Sequence, residues 1–266
     1  MMTGFAQTDS TVKPAPDTIT VGGMVIIRDK NSKPEPDNNK TTIRIPGRHR
    51  DTDKPSNLST NWLILDLGFS NYNDKTDYSS AEAQAFAPLG TKDRFKLRTG
   101  KSRSVNIWFF MQRFNLVKHT LNLKYGLGLE LNNYHYDNTQ IRFEKKPVTH
   151  IVFLPDGDVH KNKLAADYLT VPLMLNFNFT PRREKGFGFS AGISAGYLYS
   201  SRQKIKDDGD VDKTKGDLGL DSWKLSYVGE LLLGPVKLYG SYAFKTMWDK
   251  GLDQVPYNVG FRISSW

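Results

Sequence analysis

Few residues in this chain are spaced for metal or nucleophile chemistry, and each such group lacks a part. The run Asp207-Asp208-Gly209-Asp210-Val211-Asp212 spaces Asp208, Asp210 and Asp212 like the first three ligands of a calcium loop. Such a loop also needs a turn glycine at its sixth position and a closing glutamate. Lys213 stands at the sixth position, and no glutamate follows at the closing one. His150, Asp156, Asp158 and His160 share one predicted loop but lack the helical histidine spacing of a zinc site. His119 and His135 flank a long predicted strand, with His135 between Tyr134 and Tyr136, and read as interfacial anchors. Gly-x-Ser-x-Gly spacing occurs at 188–192 and 192–196, but inside an alternating strand run and not at a strand-to-helix elbow, and no Walker loop or His-Glu-x-x-His run is present. Cysteine is absent, which excludes disulfides, Cys-ligated zinc and thiol catalysis. The expectation is no catalytic residue, no metal and no cofactor.

The remaining chemistry is charge. The chain carries 37 Lys and Arg against 28 Asp and Glu, a formal +9, so an anionic partner is expected. One charged set recurs on the polar face of predicted strands: Asp66, Lys124, Glu130, Lys224, Glu230, Lys237, Lys245 and Arg262. Mixed signs in a narrow interior should pair and fill it, which predicts no sizeable conductance. A second set, Lys92, Arg94, Lys96, Arg98, Lys101 and Arg103, alternates with Phe95 and Leu97 where a long loop enters a strand. Lys145, Lys146, Lys161, Lys163, Arg202, Lys204, Lys206 and Lys250 fall at the same predicted end. Such a rim suits the phosphates of lipopolysaccharide; solvated loop charge is the alternative. Nucleic acid is not expected, because no recognition motif is present and the apolar strand faces would have no role.

These charges are held by strands. Mean hydropathy is −0.52, and no run of about 18 apolar residues exists to form a membrane helix. Period-two alternation nevertheless begins at Trp62. Leu63, Leu65, Leu67 and Phe69 oppose Trp62, Ile64, Asp66, Gly68 and Ser70; Val105, Ile107, Phe109 and Met111 oppose Asn106, Trp108, Phe110 and Gln112. Leu121 to Leu131 alternates with Asn122, Lys124, Gly126, Gly128, Glu130 and Asn132. Five further runs, around Leu169–Phe179, Phe187–Tyr197, Leu225–Leu233, Val236–Phe244 and Tyr257–Ile263, bring the expected strands to eight. Links near 116–119, 181–185 and 234–235 are short, whereas those near 73–101, 137–163, 204–221 and 248–256 are long. That alternation is the habit of outer-membrane barrels. The predicted fold is all-β, an eight-stranded antiparallel transmembrane β-barrel of up-and-down meander topology with a mostly disordered N-terminal extension.

The expected organisation has a signal-peptide remnant at 1–7, a polar periplasmic extension at 8–60 and the barrel at 61–266. Within the extension, Ile19 to Ile27 reads as a short hairpin near 18–28 turning at Gly22-Gly23. An even strand number puts both termini on the periplasmic side. The terminal Trp266 resembles a barrel-insertion signal, although it is out of step with Tyr257, Val259, Phe261 and Ile263.

Several stretches in order resemble the PorT-like outer-membrane β-barrel proteins of Bacteroidetes. They are Asp17 to Gly23 with Ile26 to Lys30, Asn61-Trp62 to Tyr72, Lys101-Ser102, Gly126 to Tyr134, and Lys163-Leu164 with Tyr168 to Leu173. Ala191-Gly192 to Leu198 and Pro256 to Phe261 complete them, covering nearly the whole chain. The resemblance implies a fold and an outer-membrane location in a Gram-negative bacterium, and carries over no catalytic residue. The function expected is that of a non-catalytic membrane anchor, structural or assembly-accessory component working through loops and tail. Its partners would be outer-membrane lipid and lipopolysaccharide, with a periplasmic or outer-membrane protein docked by the tail. A soluble calycin-like ligand-binding barrel and a barrel enzyme, either lipid A hydrolase or protease, remain the alternatives.

Overall fold

The computed structural model describes residues 17–21, 24–28, 56–155, 159–181, 186–207 and 210–264. The chain divides into two units, Met1–Pro55 and Ser56–Trp266. In the first, β1 (Asp17–Val21) and β2 (Met24–Arg28) pair antiparallel with Val21 opposite Met24. The expected signal remnant, the Gly22-Gly23 turn, most of the extension and Trp266 lie outside the described residues.

The second unit contains β3 (Leu58–Asp74), the helix α1 (Ala81–Phe86), β4 (Arg103–Val117) and β5 (Leu121–His135). Then come β6 (Ile141–Glu144), β7 (His150–Phe153), β8 (Val159–Asn178) and β9 (Phe187–Asp207). β10 (Val211–Lys215), β11 (Trp223–Leu233), β12 (Val236–Ala243) and β13 (Gln254–Ile263) follow. Nine of these strands form one sheet in the order β10-β9-β11-β12-β13-β3-β4-β5-β8, with β8 pairing β9 as well, and β6 and β7 form a separate pair.

This corrects the expected eight-stranded barrel. Among the described residues the main sheet is antiparallel and has nine strands, curling so that β8 also meets β9, and further strand pairs lie outside it. The miscount has a physical cause. β10 reads Val-Asp-Lys-Thr-Lys, with a single large apolar residue, so no hydrophobic period announces it. Its backbone pairs onto the far half of β9, from Arg202 to Lys206. β6 and β7, four residues each, are too short for periodicity to register.

Successive strand side chains point to opposite faces, and here the buried face is polar. Along β5, Asn122, Lys124, Glu130 and Asn132 are buried while the leucines between them are partly exposed. On β8, Leu169, Val171, Leu173 and Leu175 are each 40–48% exposed. Inward glycines let the strands approach closely: a Cβ on Gly192 would sit 2.1 Å from the Leu173 carbonyl oxygen.

The phase of this alternation switches midway along β3 and β4. Trp62 pairs Phe110 and Ile64 pairs Trp108, while Leu63 has a φ of 53°. A bulge also separates Trp108 from Phe110 in the β4–β5 ladder. Bulges re-aim side chains, so Trp62 and Leu63 both face outward, 68% and 76% exposed, and Trp108 and Met111 both face inward. The expected face sharing of Trp62 with Ile64, and of Phe109 with Met111, is corrected accordingly. The inward residues form a small apolar cluster of Ile64, Trp108, Met111 and Met174, against which Val228 packs.

The larger apolar core lies in the long links and the strand ends that carry them. It includes Phe86, Phe95, Tyr136, Phe143, Ile151, Leu220, Met247 and Trp248. α1 contributes Phe86 and Ala83, and its first turn is capped by Ser80, whose hydroxyl accepts from the Ala83 amide at 3.2 Å.

Candidate functional site

Inside the curl of the sheet, six of the eight predicted interior charges come together. β13 supplies Arg262, whose Nε and Nη2 donate to the two oxygens of Asp66 on β3 at 2.6 and 2.7 Å. This is the two-point geometry that makes arginine–carboxylate pairs strong. Arg262 also bonds Glu230 on β11, which in turn pairs with Lys124 on β5. Lys224 on β11 pairs with Glu130 on β5. β5 and β11 are not neighbours in the sheet, so these pairs span its interior. Three carboxylates face three cations, all with side chains no more than 6% exposed.

Neutral groups complete the network. Trp108 Nε1 and Asn106 Nδ2 donate to Asp66 at 2.7 and 3.2 Å, Asn258 donates to Glu130 at 2.8 Å, and Ser190 donates to Glu230 at 3.1 Å. A void of about 20 Å³ lined by Asn106, Trp108, Glu130, Tyr239 and Arg262 has room for about one water. Lys237 and Lys245 stand apart. Lys237 Nζ donates to the Ser264 carbonyl at 2.6 Å, and Lys245 pairs with Asp221 at 2.5 Å in the exposed links. Both follow inward parity, but one sits near the start of β12 and the other past its end. Asn106, Asn258, Trp108 and Ser190 join the network although they carry no charge. The first two share the inward parity of Asp66 and Arg262, a signal that would have found them.

The basic run of the first long link is divided by its own alternation. Phe95 and Leu97 are buried in the loop core, whereas Lys92, Lys96, Lys101 and Arg103 are exposed. Arg94 lies over the Phe153 ring at 4.5 Å, and Arg98 Nε meets Asp137 at 2.8 Å. Arg98, Lys101 and Arg103 converge with His135, His160 and Lys161 around a pocket of about 350 Å³. A second cleft, of about 900 Å³, is lined by Glu82, Phe86, Tyr199, Lys215, Asp221 and Asp249. Beside α1, Tyr78 donates to Asp74 at 2.6 Å. Burial first, and then the Asp74 carboxylate, push its phenol well above its ordinary range.

Among the described residues, no group of three or more His, Asp or Glu side chains is placed to hold a metal ion. The calcium-like spacing includes Asp208, and the His150/His160 loop includes Asp156 and Asp158, all outside the described residues. His119 lies on the short β4–β5 turn with a φ of 57°.

The family model described as outer membrane protein beta-barrel domain matches residues 65–234, more than half of the chain. Among solved structures, the chain is similar to Ail, the attachment invasion locus protein of Yersinia pestis. The identity is 10% over 77% of this chain and 98% of that one, with a TM-score of 0.30. It is also similar to Neisserial surface protein A, at 10% identity over 78% and 99% of the two chains and a TM-score of 0.34. No curated protein matches this chain.

Proposed function

Because this chain belongs to the outer membrane protein beta-barrel domain family, we propose that it is a non-catalytic outer-membrane anchor or assembly-accessory protein. The observation that carries this reading is its inverted polarity. A band of large apolar side chains faces outward while paired charges fill the interior. In water such a band is an aggregation liability; against hydrocarbon it is the favourable face. The packed interior, with room for about one water beside the ions, supports a plug in place of a conducting pore. The ends of β4 and β8 and the starts of β5 and β9 meet at short links, and β3 begins and β13 ends on that side. On this reading that is the periplasmic side. The PorT-like assignment is the finer form of the proposal, supported by stretches such as Gly126 to Tyr134 and Pro256 to Phe261.

Lipopolysaccharide contacts the rim of Lys92, Arg94, Lys96, Arg98, Lys101 and Arg103, and the 8–60 extension docks a periplasmic or outer-membrane protein. Heat-modifiable gel migration after detergent extraction tests the membrane reading. A faster-running form before boiling is expected, and a water-soluble monomer with no detergent requirement would refute it. Charge reversal of Lys92, Arg94 and Lys96 should lower co-purified lipopolysaccharide. Deleting residues 8–57 should remove pull-down partners.

A further inference from the structure

The pocket bounded by Arg98, Lys101, Arg103, His135, His160 and Lys161 holds about 350 Å³, and among the described residues no carboxylate lines it. Arg98 is matched at the pocket's edge by Asp137, as Arg142 is by Asp212, Arg202 by Asp167 and Lys245 by Asp221. Lys101, Arg103 and Lys161 converge on the same pocket, a concentration of like charge that an anion relieves.

The backbone beneath is fixed. Arg98 N donates to the His135 carbonyl at 2.8 Å, and Ser102 N to the Arg98 carbonyl at 2.9 Å. The buried Ser102 hydroxyl accepts from the His135 amide at 2.9 Å, and Tyr136 N donates to the Asn162 carbonyl at 3.1 Å. The link before β4, the end of β5 and the start of β8 are thereby locked together, so the cationic side chains share a pre-set frame.

The height of the pocket selects the ligand. Leu121 to Leu131 form the outward apolar row of β5, and Asn133 and His135 continue the same face. Four extended residues carry His135 roughly 13 Å past Leu131, the level of lipid head groups just beyond a hydrocarbon band. We propose that this pocket binds a phosphate monoester presented at that level, a lipid-linked sugar phosphate. Compact dianions with several acceptor oxygens suit converging arginine and lysine side chains. The proposal rests on the outer-membrane reading and assigns its lipid contact to a defined pocket.

The test places the full chain in phosphatidylcholine nanodiscs with monophosphoryl lipid A, or with the same lipid stripped of its phosphate. Bound lipid is counted by native mass spectrometry. The unaltered protein should prefer the phosphorylated lipid by about ten-fold, the worth of one net charge-assisted hydrogen bond. Lys101→Gln/Arg103→Gln/Lys161→Gln should abolish the preference, Lys161→Gln alone should weaken it, and Lys213→Gln, exposed on β10 away from both the pocket and the basic rim, should retain it. Heat-modifiable migration checks that each variant is folded. Inorganic phosphate that erases the preference supports the site's anion chemistry with the free ion as competitor; a preference that survives phosphate supports the lipid as the source. Equal binding of both lipids by the unaltered protein, or an unchanged preference in the folded triple variant, overturns the proposal. Either result leaves the membrane reading intact, since that reading fails only through detergent-free solubility.

Discussion

The curled sheet and the long links it carries enclose interiors of opposite character. Between the strands, Asp66, Glu130 and Glu230 meet Lys124, Lys224 and Arg262. Above them, Phe86, Phe95, Phe143 and Trp248 pack as an ordinary apolar core, with Trp248 5.4 Å from Phe86 and stacked 5.7 Å from Phe143. The difference teaches that burial follows the surrounding medium. A segment bathed in water buries its apolar side chains. A segment bathed in hydrocarbon turns them outward and is left with polar ones inside, which must then satisfy each other.

This contrast can be broken most strongly from the strand side. Arg262→Met leaves the Asp66 and Glu230 carboxylates without their guanidinium partner. Removing one member of a buried ion network costs about 3–5 kcal/mol. The expected result is a lower urea midpoint of the heat-modifiable transition, with partial recovery in Arg262→Met/Asp66→Asn.

Trp248→Ala empties the centre of the loop core at a cost of about 3–5 kcal/mol to the loops themselves. The effect on the whole molecule should be smaller than that of Arg262→Met, because the strand ladders persist. Limited proteolysis should show faster cleavage within 75–102 and 136–158 while heat-modifiable migration is retained.

Ser80→Ala removes the α1 cap, and about 1 kcal/mol is expected, read as faster amide exchange confined to 81–86. The smallest effect belongs to Arg142→Gln. Its pair with Asp212 is exposed, 36% and 54%, so its contribution is at most about 1 kcal/mol and the unfolding midpoint should barely move.

How much of this was legible from residues differed between the two regions. Strand parity sets Asp66, Lys124, Glu130, Lys224, Glu230 and Arg262 on the face opposite the large apolar residues, and reading that apolar face as lipid-facing makes theirs the inward one. Lys237 and Lys245 have the same parity but miss the cluster, since parity says nothing of height along the sheet. Simple alternation puts Trp62 and Met111 on the wrong faces because the irregularity at Leu63 and Phe109 carries no sequence mark beyond ordinary apolar residues. The loop core was invisible for a further reason. Phe86, Phe143, Trp248 and Leu220 come from separate links, with no shared period, and read singly as loop residues. The extra pairing of β10 was equally hidden, as backbone hydrogen bonds give a polar pentapeptide no hydrophobic pattern.

The central claim is that the apolar band faces hydrocarbon while the charges face inward. The chain lacks cysteine, so single spin labels can be placed cleanly at Val171→Cys and Leu173→Cys on the band and at Val148→Cys on an exposed link. In lipid nanodiscs, the band labels should relax with oxygen and be shielded from an aqueous nickel chelate, while the Val148 label shows the opposite. Nickel access at Val171 and Leu173 equal to that at Val148 would contradict the account.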